Sequence, residues 1–167
     1  MMIIRKLKLD DLLTRVEWMN NPKVYLSMHF DLPVLLDNTI AWFEKNQNNN
    51  NRADVCFEDD GAVIAFGGLT SIDPVLKKAE LYIFVNPNLQ KSGVGTKATK
   101  LLCEYGFKEL HLHKIYLLTN EDNIAAIRVY QKCGFKQEGR HRDEFLTGNE
   151  YKDRLYFGLL QKELQDE

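Results

Sequence analysis

The sequence predicts one α/β (α+β) domain over residues 1–167, with a mixed, mostly antiparallel central sheet flanked by helices. Three observations predict it. The hydrophobic period shifts from helical spacing to alternation near residue 53, and returns to helical spacing near residue 94. The strand-like runs in between are joined by turns short enough to make neighbours antiparallel. After them, helix and strand alternate, which requires a crossover unit. A chain of 167 residues can bury one substantial core.

Each element has its own signal. "IIRKL" reads as a short strand, after which Asp10 or Asp11 can cap a helix carrying Leu12, Leu13, Val16 and Met19 at helical spacing. Asn20, Asn21 and Pro22 end it. A second helical stretch with Leu35, Leu36, Ile40 and Phe43 runs up to "NQNNNNR", residues 46–52, a solvated loop with no assigned function. "ADVCFE" and "AVIAFGGL" are strands joined by "DDG", and "AELYIFV" is a third strand after the turn at Asp73 and Pro74. Gly67 and Gly68 suggest a bulge or a close backbone approach. Val94 to Leu110 is a helix with Ala98, Leu101, Leu102 and Tyr105 on one face. "KIYLLT" is a strand, and "NIAAIRVYQKCG" a helix ended by Gly134 as a left-handed cap. "FKQEGRHRDEF" and "YKDRLYFGLL" close the domain as a strand pair.

Composition narrows the function. A net charge of −2, from 22 basic and 24 acidic residues, gives no electrostatic case for nucleic acid or membrane as the main partner. Cys56, Cys103 and Cys133 have no disulfide or zinc spacing and read as reduced, buried thiols. His29, His111, His113 and His141 match no metal-ligand pattern, so no metal site is expected. The opening "MMIIRKLKLDD" is too interrupted by charge for a signal peptide, and no apolar run reaches spanning length. A cytoplasmic protein is expected.

The stretch "NPNLQKSGVG", residues 86–95, carries the functional signal. Glycines at the mouth of a helix expose successive N–H groups at the positive end of the helix dipole, which favours a phosphate. "GVGTKA" also fits a dinucleotide fingerprint, with Glu121 near the ribose-binding position, so an NAD-dependent oxidoreductase is one alternative. Against it, "NPNLQKS" separates the strand from the first glycine, the preceding strand belongs to an antiparallel meander, and little chain follows.

"QKSGVG" fits the pattern Q/R-x-x-G-x-G/A, and "NEDNIAAIRVYQKCGFKQEG" places Asn123, Tyr130, Gly134 and Phe135 in the order of a second signature. The pair resembles the GNAT superfamily of N-acetyltransferases over Ala79 to about Gly139. A weaker likeness over "RKLKLDDL", "WMNNPKV" and "EYKDRLYFGLL" is to the branch of ribosomal-protein N-terminal, spermidine and amino-sugar N-acetyltransferases.

The resemblance implies acetyl-CoA as cosubstrate and direct attack by a primary amine in a ternary complex. Phe84, Val85 and Asn86 would splay from "KIYLLT" to admit pantetheine, with the Val85 N–H as oxyanion donor. Lys91, Ser92, Gly93, Val94, Gly95, Thr96 and Lys97 would wrap the pyrophosphate, with Gln90 bracing the loop. Asn123, which also reads as a helix N-cap, would hold the pantetheine arm beside Ala126. Tyr130 would be the acid that protonates the leaving thiolate; core packing is its structural alternative. Glu80 would be the base, acting through water, or else a strand residue paired with Lys77 or Lys78.

The acceptor stays open. A polyamine wants acids, with Asp31, Asp37, Glu44, Glu144 and Glu150 as candidates, whereas an amino-sugar nucleotide wants Arg140, Arg142, Trp18 and Tyr25. The short, apolar loop between Asn20 and Pro33, including His29, favours a small amine over a protein N-terminus. A homodimer or larger homo-oligomer fits the branch, and a non-catalytic coenzyme A binding module is a further alternative.

Overall fold

The computed structural model describes residues 1–164. Its strands are β1 Met2–Lys6, β2 Ala53–Asp59, β3 Ala62–Asp73, β4 Lys78–Val85, β5 Lys114–Asn120, β6 Lys136–Thr147 and β7 Glu150–Leu160. The helices are α1 Leu12–Met19, α2 Pro22–Tyr25, α3 Leu36–Asn46, α4 Val94–Lys108 and α5 Ile124–Lys132. One seven-stranded sheet in the order β1-β2-β3-β4-β5-β7-β6 collects all the strands. Every pairing is antiparallel except β4 with β5, which α4 connects.

Strand alternation sorts side chains onto two cores. Val55 and Phe57 face one core and Cys56 the other; likewise Leu81 and Phe84 fall on opposite faces of β4. The first core takes Ala98, Leu102 and Phe107 from α4 and partly buried Ile127, Val129 and Tyr130 from α5. The second takes Leu12 and Met19 from α1, Val24 from α2, and Ile40 and Phe43 from α3. Phe57, Phe66, Phe107 and Phe157 are fully buried, each contributing roughly 1.5–3 kcal/mol by burial.

Two local expectations are corrected. Neither Asp10 nor Asp11 caps α1 with its side chain: Leu9–Asp11 forms a 3-10 turn, and the Asp11 carboxylate accepts from the Lys8 amide (2.7 Å) and twice from Arg5 (2.8 Å each). Pro22 does not only end α1; it opens α2, where the Asn21 side chain accepts from the Lys23 amide at 3.0 Å. Pro suits the first helical position because its missing N–H is an orphan there anyway.

Gly67 and Gly68 mark a close backbone approach. A Cβ on Gly68 would lie 2.7 Å from the Ala53 carbonyl oxygen, and one on Gly67 2.8 Å from that of Tyr82. The neighbouring register shifts fall at Phe57/Glu58 and Thr70/Asp73 instead. Gly134 ends α5 at φ 93°, the left-handed cap expected. Among the described residues no helix is long and apolar enough to cross a membrane.

Candidate active site

The parallel pairing of β4 and β5 stops early. It covers Lys78, Ala79 and Glu80 against Lys114, Ile115 and Tyr116, although β4 continues to Val85 and β5 to Asn120. The strands therefore part after Glu80, earlier than the Phe84–Asn86 splay expected from sequence.

The direction of the backbone in that gap follows from one bond. Asn86 N–H donates to the Ile64 carbonyl on β3 at 2.9 Å. Backbone groups of successive strand residues point to opposite edges. The N–H and C=O of Val85, Ile83 and Leu81 accordingly face away from β3, into the gap beside β5.

A cleft of about 1020 Å³ runs through this gap. From the α4 and α5 side it is lined by Gln90, Lys91, Gly93, Gly95 and Thr96, and by Asn123, Ala126 and Tyr130; Phe84, Val85 and Glu80 line it from β4. Asn86, Ser92, Val94 and Lys97 lie outside its wall. Asn86 instead builds the turn, accepting from the Asn88 amide at 2.9 Å, and the Ser92 hydroxyl bonds the Leu89 carbonyl. Val94 packs toward the core behind α4.

The loop before α4 leaves its donors free. Among the described residues, no backbone N–H from Gln90 to Thr96 has an acceptor within the protein; the first bond of α4 is Lys97 N–H to Gly93 O at 3.2 Å. Lys91 at φ 67° and Gly93 at φ 82° curl these amides into a concave run. The Gln90 side chain donates to the Lys23 carbonyl at 2.7 Å, bracing the loop against α2.

Asn123 caps α5, its Oδ1 accepting from the Ala126 amide at 3.2 Å, which leaves its Nδ2 donors uncommitted. The Tyr130 ring packs against Phe135 and Phe157, with centroids 5.8 and 6.5 Å away. Its hydroxyl has no hydrogen-bond partner among the described residues. Burial, reinforced by Cys133 and Cys103 and opposed by Arg154, pushes the phenol up to about 12. Glu80 forms no ion pair among the described residues; Lys78 lies over the Tyr116 ring instead.

Sequence reasoning missed several lining residues. Arg15, Arg52, Tyr82 and Arg154 face the far half of the cleft. His29, expected near this half, accepts or donates at 2.9 Å to the Asn120 side chain and packs edge-on against Phe145. None of the acids proposed for a polyamine, and none of Arg140, Arg142, Trp18 and Tyr25, lines the cleft. Glu121, the ribose candidate of the dinucleotide reading, is occupied by Arg140 (2.7 Å) and the Asp153 amide (3.2 Å). The strand before the glycines is antiparallel to β3, against that reading too.

A sheet parted over an amide-rich helix mouth defines an acyl-CoA-dependent transferase fold, and residues 2–136 match the acetyltransferase (GNAT) domain family. The chain belongs to that family. The spermidine N(1)-acetyltransferase of Vibrio cholerae serotype O1 is 30% identical over 142 residues, 83% of this chain and 82% of that protein. The Escherichia coli K12 spermidine N(1)-acetyltransferase is 32% identical over 119 residues, 71% of this chain but only 64% of the relative's length. The crystal structure of the Vibrio cholerae spermidine N-acetyltransferase in complex with CoA and spermine superposes with a TM-score of 0.89 at 27% identity, covering 97% of this chain and 96% of that one.

Proposed function

We propose that the protein is an acetyl-CoA-dependent N-acetyltransferase of a small primary amine. One observation carries the reading: free amides of the α4 loop, the inward-facing backbone of Leu81, Ile83 and Val85, and the Tyr130 phenol all meet in one cleft. The diphosphate of coenzyme A fits the first, its pantetheine arm the second, and its sulfur end the third. The spermidine and spermine enzymes among the relatives support a small acceptor, as does the His29–Asn120 contact across the far half.

The roles follow from charge. Glu80 takes the proton of the arriving ammonium, directly or through water. The amine nitrogen attacks the acetyl carbon, and the Val85 N–H meets the oxygen as it becomes negative, an interaction typically worth about 3–4 kcal/mol to the barrier. The C–S bond breaks, and Tyr130 hydrogen-bonds the departing thiolate and supplies its proton. Nitrogen loses two protons between ammonium and amide: Glu80 passes the first to solvent, and the second, shed as the tetrahedral adduct collapses, offsets the one that sulfur gains by way of Tyr130. With a phenol near 12 against a thiol near 8.5, full transfer of the Tyr130 proton to sulfur runs uphill unless the phenol is reprotonated, so the group acts first as a hydrogen-bond donor to the departing thiolate and never as a pre-ionised base. Holding amine and thioester together supplies much of the remaining acceleration.

Three buried thiols without a disulfide suit a reducing, cytoplasmic compartment. Light scattering on the purified chain tests the homo-oligomer expected of this branch. The activity is tested by thiol release from acetyl-CoA with polyamines, amino sugars and peptides, repeated with Tyr130→Phe. Release with a small amine that collapses in the variant is the expected result; tight coenzyme A binding without release for any amine would leave only a binding module.

A further inference from the structure

The far half of the cleft is charged the wrong way for a polycation. Glu80 is the only acid among its described lining residues. It lies on the face of β4 opposite Leu81, and Arg154 lies on the face of β7 opposite Leu155; both thus sit across the sheet from the α4 loop and its phosphate-binding amides. Arg15, from α1, lines the same half.

Arg15 is buried and Arg154 half-buried, each without a counter-ion among the described residues. Arg15 is 7% exposed; its Nη1 donates to the Met19 sulfur at 3.1 Å and its Nη2 to the Tyr82 hydroxyl at 3.3 Å, and its guanidinium stacks 4.8 Å from the Trp42 ring. Arg154 donates from Nη2 to the Leu118 carbonyl at 3.1 Å. The Nε of each is buried with no acceptor. Neither forms an ion pair among the described residues. Arg52 differs, because Asp54 holds it at 2.7 and 2.8 Å, and the same carboxylate takes the Tyr82 hydroxyl at 2.5 Å, leaving nothing for Arg15.

Buried guanidiniums are normally matched by an anion, because neutral acceptors do not repay their lost hydration. Burial is the main force pulling Arg154 below the usual arginine range, with Glu80 and Glu144 opposing from beyond ion-pair distance. A phosphate or carboxylate offers both the charge and an acceptor geometry that a guanidinium fork fits.

We infer that the acceptor amine carries an oxyanion, a phosphate or carboxylate, bound by Arg15 and Arg154 while Glu80 receives the amine. This rests on the N-acetyltransferase reading and chooses between its small acceptors: an anionic amine such as a phosphorylated amino sugar, ahead of a polyamine. A polyamine laid along this half would place ammonium groups against the two unmatched cations.

Two measurements decide it. In the first, the protein is saturated with coenzyme A, so the α4 loop is filled, and thermal unfolding is followed with added inorganic pyrophosphate. The melting temperature should rise for the wild type and not for Arg15→Met or Arg154→Met, with coenzyme A titration showing that the variants are folded. No rise, or an equal rise in all three, overturns the inference.

In the second, acetyl transfer is compared for glucosamine 6-phosphate against glucosamine, and for lysine against cadaverine, with spermidine alongside. The anionic member of each pair should have a kcat/KM at least about ten-fold higher. That ratio should fall toward one in either Met variant and partly return in Arg15→Lys and Arg154→Lys. Preference for spermidine and cadaverine overturns the inference and leaves the acetyltransferase standing. If no amine is acetylated, the acetyltransferase reading falls, and the pyrophosphate melts still decide the oxyanion site.

Discussion

The Asn86 amide bonds the Ile64 carbonyl at 2.9 Å, and this single contact turns the Val85 N–H the other way, into the gap between β4 and β5. Proline at position 85 removes that N–H without costing a bond to β3. Val85→Pro is expected to lower kcat by about 10²- to 10³-fold, whereas Val85→Ala, which keeps the N–H, should stay close to wild type. Steady-state kinetics beside a thermal melt separate loss of the donor from loss of the fold.

Tyr130→Phe should cost about 10²- to 10⁴-fold in kcat while leaving acetyl-CoA binding nearly intact. In the proposed role the phenol works in its protonated form, and burial pushes it up to about 12. Its loss therefore should produce no falling limb in the rate below about pH 10. Tyr82, also pushed up to about 12 mainly by burial, acts with it on stability. Both folded values lie above the ordinary phenol near 10, so the stabilisation is complete below about pH 10 and fades as pH rises toward 12. A melting series from pH 8 to 12 checks the sign.

Gly95 and Gly68 should separate function from fold. A Cβ on Gly95 would meet Val85 and Val129 methyls at 3.8 and 3.9 Å, ordinary contact. Gly95→Ala should hold or raise stability, by up to about 1 kcal/mol of helix propensity, yet raise the KM for acetyl-CoA because the added methyl stands at the cleft wall. A Cβ on Gly68 would strike the Ala53 carbonyl oxygen at 2.7 Å. Gly68→Ala is therefore expected to destabilise by about 1–3 kcal/mol, read by denaturant titration.

Asp11 is 6% exposed and holds Arg5 and the Lys8 amide. Burial works against its charge, but the bonds from Arg5 and Lys8 outweigh it and hold the carboxyl below its usual range. A depressed folded value means stability that is present above the ordinary carboxylate pKa and lost as pH falls below it. Asp11→Ala should cost about 3 kcal/mol at pH 7 and remove part of the acid sensitivity between about pH 5 and 2.

The sheet and helices were legible because their signals are local: alternation in "ADVCFE", helical spacing from Val94 to Tyr105, a left-handed Gly134. That the α4 loop and Tyr130 line one cleft was legible because their residues sit in contiguous motifs. Arg15 and Arg154 were not, since "TRVEW" and "DRLYF" look like an exposed helix face and a strand end until the fold brings α1 and β7 to one cleft. Alternation beside Leu155 gives Arg154 its face but not what that face meets. The α2 turn did carry a signal, Asn21 before Pro22, a helix-start pair read instead as a stop.

Beyond Glu80, the edge of β4 that faces β5 holds backbone groups that β5 does not pair, while β3 pairs the other edge out to Val85. On the rim of a sheet such a row invites other chains to add themselves, and proteins blunt it with charge, proline or a bulge. Here the row lies inside the sheet, opposite β5, whose far edge is paired with β7 out to Asn120. The rims where a further chain would add itself are β1 and β6. These amides therefore stand unpaired without standing on a rim, open to a ligand in the cleft and set back from the borders through which sheets grow.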